Sequence, residues 1–255
     1  HQMTEVPGFN KLIISYDTVV LPPPFCYRYE IHAEAGLDGN LKASLGLDYY
    51  DREGLTDEDI LEEGCDPNGS FRWEGTLPEV WQESIGQKLS SSPWQKDTES
   101  NYKGAVLSIR KIGPSTSETL YPADLRNWEI FLQELIQAIF ELGEKEAPLS
   151  VRFLAVGQSV DTVEFQYYYA HRRFQTTSSK TGKRSGEWQD GQKLLKYIFG
   201  LDYLPESGAN KQPTKPGNYI WPGDGFWYEL RANTEGKNPD KNRVQRLIET
   251  LKGYI

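Results

Sequence analysis

Methionine occurs once in the 255 residues, cysteine twice and histidine three times. Each scarcity removes a class of chemistry. Cys26 and Cys65 stand far apart in unrelated contexts, whereas a small secreted scaffold carries several cysteines at framework spacing, so they read as reduced thiols. With no C-x-x-C pair and no H-E-x-x-H, zinc has no ligand set. Only His32 and His171 lie beyond the first residue, neither cysteine sits in a nucleophile signature, and G-x-S-x-G is absent, which leaves nucleophilic catalysis without support. Hydrolysis by a carboxylate pair stays open, because two acids at working separation can come from distant parts of a chain.

Long apolar runs are missing as well. No stretch reaches the roughly 18 residues of a membrane-spanning helix. His1 and Gln2 precede Met3, which reads as the native start, and the TEVPGFNKLIISYD that follows lacks the basic opening and the apolar run of about 7 to 15 residues of an export signal. A cytoplasmic location is the resulting expectation.

Aromatic residues are plentiful, with 7 Trp and 15 Tyr, so the interior is expected to be built from large amphipathic rings. A chain of this length hides roughly 73% of its unfolded surface and needs no staples. The net charge of -9 is unevenly spread: residues 1 to 104 hold 8 basic and 19 acidic residues, 105 to 150 hold 4 and 7, and 151 to 255 hold 16 and 11. An acidic first third therefore faces a basic last third in sequence.

Three alternating stretches open the chain, Leu12 to Val20, Tyr27 to Ala35 and Leu41 to Tyr49, and predict an antiparallel meander. A three-residue loop ending at Gly39 sets Ile31 opposite Leu45, Tyr29 opposite Leu47 and Ala33 opposite Ala43, whereas a two-residue Asp38-Gly39 loop mixes the two faces. The first register also places Glu34 across from Lys42, Arg28 across from Asp48 and His32 across from Ser44. Thr56 and Asp59 predict a capping box on a short acidic helix stopped by Gly64. Phe71 to Glu74 reads as a brief strand, Pro78 to Leu89 as a helix, Ser90 to Gly104 as a polar loop and Gly104 to Ile112 as a buried strand.

The strongest helix opens at Asp124 and ends near Gly143, with Leu125, Trp128, Leu132, Leu135, Ile136, Ile139 and Phe140 on one stripe. Leu149 to Val156 and Thr162 to Phe174 predict a second hairpin, followed by a polar loop to about Gly186. A helix near Gln192 to Phe199, an aromatic strand around Tyr219 to Ala232 and a last helix from Pro239 to Lys252 complete the reading. The fold class is α+β, with antiparallel sheets built from two hairpin or meander units and the long amphipathic helix on one face. Residues 3–255 are expected to form one domain, with a two-lobed division into 3–112 and 113–255 as the alternative.

Four places invite a functional reading. Glu30, His32 and Glu34 share a strand face whose composition a metal accepts, but their cross-strand partners satisfy them, so no metal is expected there. The acidic run Asp48 to Asp66 has nine carboxylates against Arg52 alone, yet no window spaces them as an EF-hand loop. The segment YAHRRFQTTSSKTGKRSG gathers His171, Arg172, Arg173, Lys180, Lys183 and Arg184 without one acid, and predicts an anion site or a basic edge; its Gly182-Lys183 pair is no P-loop, because Thr177 stands where the first glycine belongs and Arg184 where a hydroxyl belongs. Continuous alternation would put Val163, Phe165, Tyr167, Tyr169, His171 and Arg173 on one face. Last, Trp221, Trp227 and Tyr228 surround a Pro-Gly-Asp-Gly turn and read either as core or as an aromatic surface.

The leading expectation is a non-catalytic protein that binds another protein through its polarised charge, with no cofactor. An enzyme or sensor for a phosphate- or carboxylate-bearing small ligand at 171–184 is the alternative, and carbohydrate binding by the 219–228 aromatics a weaker one. Nucleic acid is not expected, since backbone binding needs a wider basic surface than a modestly positive last third offers.

Overall fold

Alternation of apolar and polar residues governs the first half of the chain. The computed structural model describes residues 9–95, 104–231 and 241–255, and divides into two units, His1–Lys145 and Glu146–Ile255. Residues 112 and 113 lie within a hairpin of the first unit rather than at its border.

In the first unit, β1 (Lys11–Asp17), β2 (Tyr27–Ala35) and β3 (Leu41–Tyr49) form the meander. The β2–β3 register is the one that the hydrophobic pattern selects: Ile31 faces Leu45, Tyr29 faces Leu47 and Ala33 faces Ala43, all buried. Gly39 closes the turn at φ +81, a conformation that glycine adopts without a steric cost. Helix α1 (Asp57–Glu62) starts at the Thr56–Asp59 capping box. The strand from Phe71 runs on to Leu77 as β4 (Phe71–Leu77), and α2 (Glu79–Ser91), β5 (Trp94–Gln95) and β6 (Val106–Ile112) follow. Residues 96–103 of the expected polar loop lie outside the described part.

β7 (Ser117–Pro122) was not predicted from the sequence; it pairs with β6 and completes a seven-stranded antiparallel sheet in the order β4-β3-β2-β1-β6-β7-β5. Helix α3 (Leu125–Leu142) begins where Asp124 accepts a hydrogen bond from the Asn127 amide and buries Trp128, Leu132, Leu135, Ala138 and Ile139. Its Glu129 accepts a 2.6 Å hydrogen bond from Tyr16 of β1, and its Phe140 meets Phe71 of β4 edge to face.

The second unit is a six-stranded antiparallel sheet in the order β11-β10-β9-β8-β12-β13. Its strands are β8 (Leu149–Val156), β9 (Val160–Tyr168), β10 (Arg173–Ser178), β11 (Gly182–Gly186), β12 (Gly217–Trp221) and β13 (Tyr228–Glu229). Between β11 and β12 lies α4 (Trp188–Ile198), and α5 (Lys241–Lys252) follows β13. One sheet face packs Val151, Phe153, Phe165, Tyr167, Phe174 and Ile220 against Leu194 and Ile198 of α4 and Val244, Leu247, Ile248 and Leu251 of α5. Among the described residues the fold is thus two antiparallel sheets with five α-helices, an α+β class. Among the described residues no helix is long and apolar enough to cross a membrane.

Candidate functional site

The strand expected from Thr162 to Phe174 is interrupted. β9 ends at Tyr168, a 3-10 turn takes Tyr169–His171, and Arg172 closes it in the left-handed region at φ 46. The chain then returns antiparallel to itself, with Arg173 opposite Tyr168. Alternation therefore holds for Val163, Phe165 and Tyr167, which are buried, and fails at Tyr169, His171 and Arg173. The polar stretch expected after Phe174 as a loop is the hairpin β10–β11. Its three-residue connection is tied down where Ser178 Oγ accepts from the Lys180 and Thr181 amides, and Gly182 at φ +75 starts the second strand.

This hairpin spreads the predicted cations along its length. Arg172 lies 5.6 Å from the ring centre of Trp188, and Arg173 lies 5.4 Å over Tyr168. Lys180 sits at the far end, 3.5 Å from the Asp161 carboxylate, which also accepts a hydrogen bond from Ser159 Oγ. Lys183 and Arg184 stand opposite Thr177 and Thr176, so they project to opposite faces of β11. His171 is exposed in the turn. Four of the six lie on the hairpin and His171 and Arg172 in the turn that leads into it, so they are strung along the chain rather than gathered at a point. What they create is an edge: among the described residues β11 has β10 as its one neighbour, all five of its residues are exposed, and no acidic residue occurs from His171 to Gly186.

The aromatic candidates separate in the same manner. Tyr228 is 1% exposed in the core beneath the helices, and its hydroxyl donates to Asp224 Oδ2 at 2.5 Å. Burial, and after it that hydrogen bond, pushes the phenol up to about 12. Trp227 is buried on the opposite sheet face with Leu154 and Tyr219, and Trp221 packs beside them under the Arg152 guanidinium, 4.8 Å from its ring centre. Rings on two faces of one sheet, two of them buried, make no shared platform.

The polar face of the first sheet is internally paired. His32 Nε2 contacts the Glu30 carboxylate, and Glu34 faces Lys42 across the strands. Arg28 stands opposite Asp48 as the register requires, yet Arg28 lies over the Tyr50 ring at 5.0 Å, and Asp48 takes both oxygens to Arg72 Nη2 at 2.8 and 2.9 Å. Gly46 faces Arg72 across β3 and β4, and the guanidinium lies over it on the way to Asp48. The sequence pattern puts Arg72 in a brief strand but gives that strand no partner, so this pairing was not predicted. A shallow depression of about 350 Å³ lies on the same face, lined by Ser15, Asp17, Arg28, Glu30, Asp48 and Ser108. Among the described residues no cluster of three His, Cys, Asp or Glu side chains is placed to hold a metal. The Cys26 thiol donates to the Tyr50 carbonyl at 3.1 Å, and burial raises it away from the reactive thiolate. No family model matches this chain, and no curated protein or solved structure matches it significantly.

Proposed function

We propose that this chain is a non-catalytic interaction protein and that the β10–β11 hairpin receives an acidic, extended segment of another protein along its free edge. The observation that carries the reading is the edge strand itself: Gly182–Gly186 is exposed at every position, has one neighbour in its sheet among the described residues and carries Lys183 and Arg184. An unpaired strand offers a row of amides and carbonyls to any passing strand, and lysine or arginine on it decides which strands are accepted. Two such edges repel each other, so self-pairing is disfavoured, whereas an acidic strand gains both ladder hydrogen bonds and charge pairing. Spreading cations over both faces suits a strand-shaped anion better than a phosphate, which needs donors converging within one small volume. The paired polar face of the first sheet offers no competing reactive centre.

The test is a fluorescence-anisotropy titration with an extended peptide of alternating glutamate and valine, and with its lysine-valine counterpart. The acidic peptide is expected to bind and to weaken as salt rises. Lys183→Glu with Arg184→Glu should weaken it by tenfold or more, about 1.4 kcal/mol. Equal binding of both peptides, or indifference to the double reversal, overturns the assignment.

A further inference from the structure

Four of the ten large apolar side chains exposed among the described residues fall within seven consecutive positions: Val19, Val20, Leu21 and Phe25, at 52, 63, 43 and 36% exposure. They occupy the β1–β2 connection, with Pro22 and Pro23 exposed between them and no charged residue from Thr18 to Tyr27. Single exposed apolar side chains are ordinary on protein surfaces. A contiguous group marks a surface that something else covers.

The connection is held in one shape. Thr18 and Tyr27 exchange three hydrogen bonds of 3.0 to 3.1 Å at its base. Val19 sits in the left-handed region at φ 53, costly for a β-branched residue, and its amide donates to Asp17 Oδ1 at 2.9 Å. The Pro24 carbonyl accepts from Arg52 Nε and Nη2 at 3.1 and 2.8 Å, and the Phe25 amide donates to the Pro22 carbonyl. A projection already ordered in this way loses little conformational freedom on docking.

Its surroundings state the chemistry of the partner. The same Arg52 guanidinium donates to the Asp66 carbonyl at 2.9 Å, so one side chain ties the apolar loop to the acidic segment 48–66. That segment holds nine carboxylates and Arg52 as its one cation, with Asp51, Glu53, Asp57 and Glu58 exposed. We infer that the 19–25 loop is a docking knob for a second protein whose apolar cleft is rimmed by lysine and arginine. A second copy pairing knob to knob brings two acidic shoulders together, and an anionic bilayer repels the same shoulder, so charge selects against both. This surface lies in a different unit from the β11 edge and does not depend on it.

The experiment uses the full chain with a photocrosslinker installed at position 21 and, as control, at Leu37, a fully exposed side chain in the β2–β3 turn. Irradiation in an extract of the producing cells is expected to give one discrete adduct with a different protein from position 21 and none from position 37. That protein, purified, should bind the unmodified chain and lose at least about tenfold in affinity with Leu21→Asp or with the milder pair Leu21→Ser and Phe25→Ser. Asp51→Asn with Glu53→Gln should slow association at low salt, and Lys183→Glu with Arg184→Glu should leave binding unchanged. The inference is overturned by adducts of equal yield from both positions, by adducts only between copies of this chain or with lipid, or by unchanged affinity of the Leu21 variants at an unchanged melting temperature.

Discussion

At the scale of single residues, buried phenols dominate the electrostatics. Tyr16, Tyr29, Tyr167, Tyr203 and Tyr228 are all raised by burial first. An unfolded phenol ionises near about 10, so across the window from there to about 12 the folded Tyr228 keeps a proton that the unfolded chain has lost. Its contribution is complete below that window and disappears as the pH rises through it. Melting temperature should therefore fall steeply through this range, and Tyr228→Phe should flatten part of the fall while costing about 1 kcal/mol at neutral pH for the lost Asp224 bond. Tyr16→Phe removes the donor to the partly buried Glu129 carboxylate and is expected to cost about 1–3 kcal/mol in urea unfolding. Side-chain environment was the least legible layer of the sequence. Trp227 and Tyr228 flank a turn, and whether they are buried depends on β13 lying beside β12, a non-local fact that the local Pro-Gly-Asp-Gly signal does not contain. The switch of Asp48 from Arg28 to Arg72 was hidden likewise, since it needs β4 paired beside β3 in a register that the local pattern does not contain.

Elements were easier to read wherever periodicity and caps agreed. The β2–β3 register was legible because a one-residue slip turns Ile31, Leu45 and Leu47 to solvent, and α1 because Thr56 and Asp59 supply both halves of a capping box. The corner at Tyr169–Arg172 was not legible: YYYAHRR contains neither glycine nor proline, and an arginine takes the left-handed position where a glycine is usual. β7 was missed because Ser117–Pro122 is short and only its last three residues turn away from solvent. Packing between elements makes a prediction whose sign runs against helix propensity. Gly191 lies in α4 with its backbone against Phe174 and Tyr167, and a Cβ there would stand 2.7 Å from a carbon of the buried Phe174 ring. Gly→Ala within a helix ordinarily gains up to about 1 kcal/mol. Overpacking of this kind costs about 1–3 kcal/mol, so Gly191→Ala should lower stability in urea unfolding.

Across the whole molecule, charge follows the division into units. Residues 1–145 hold 12 basic and 25 acidic side chains, net -13, and residues 146–255 hold 16 and 12, net +4. The charge contrast between the two ends of the chain was visible in composition alone. The shape in which the basic part is presented was not, because the stretch read as a loop is an edge hairpin. That difference changes the kind of partner, from a small anion clamped by converging cations to a strand laid beside a strand. Residue-resolved amide hydrogen exchange on the full chain, with and without the alternating glutamate-valine peptide, tests strand addition at β11 directly. Protection should rise at the amides of β11 and stay level in the β2–β3 hairpin, and Lys183→Glu with Arg184→Glu should abolish the rise. Peptide binding that leaves the β11 amides exchanging at their free rate would contradict it.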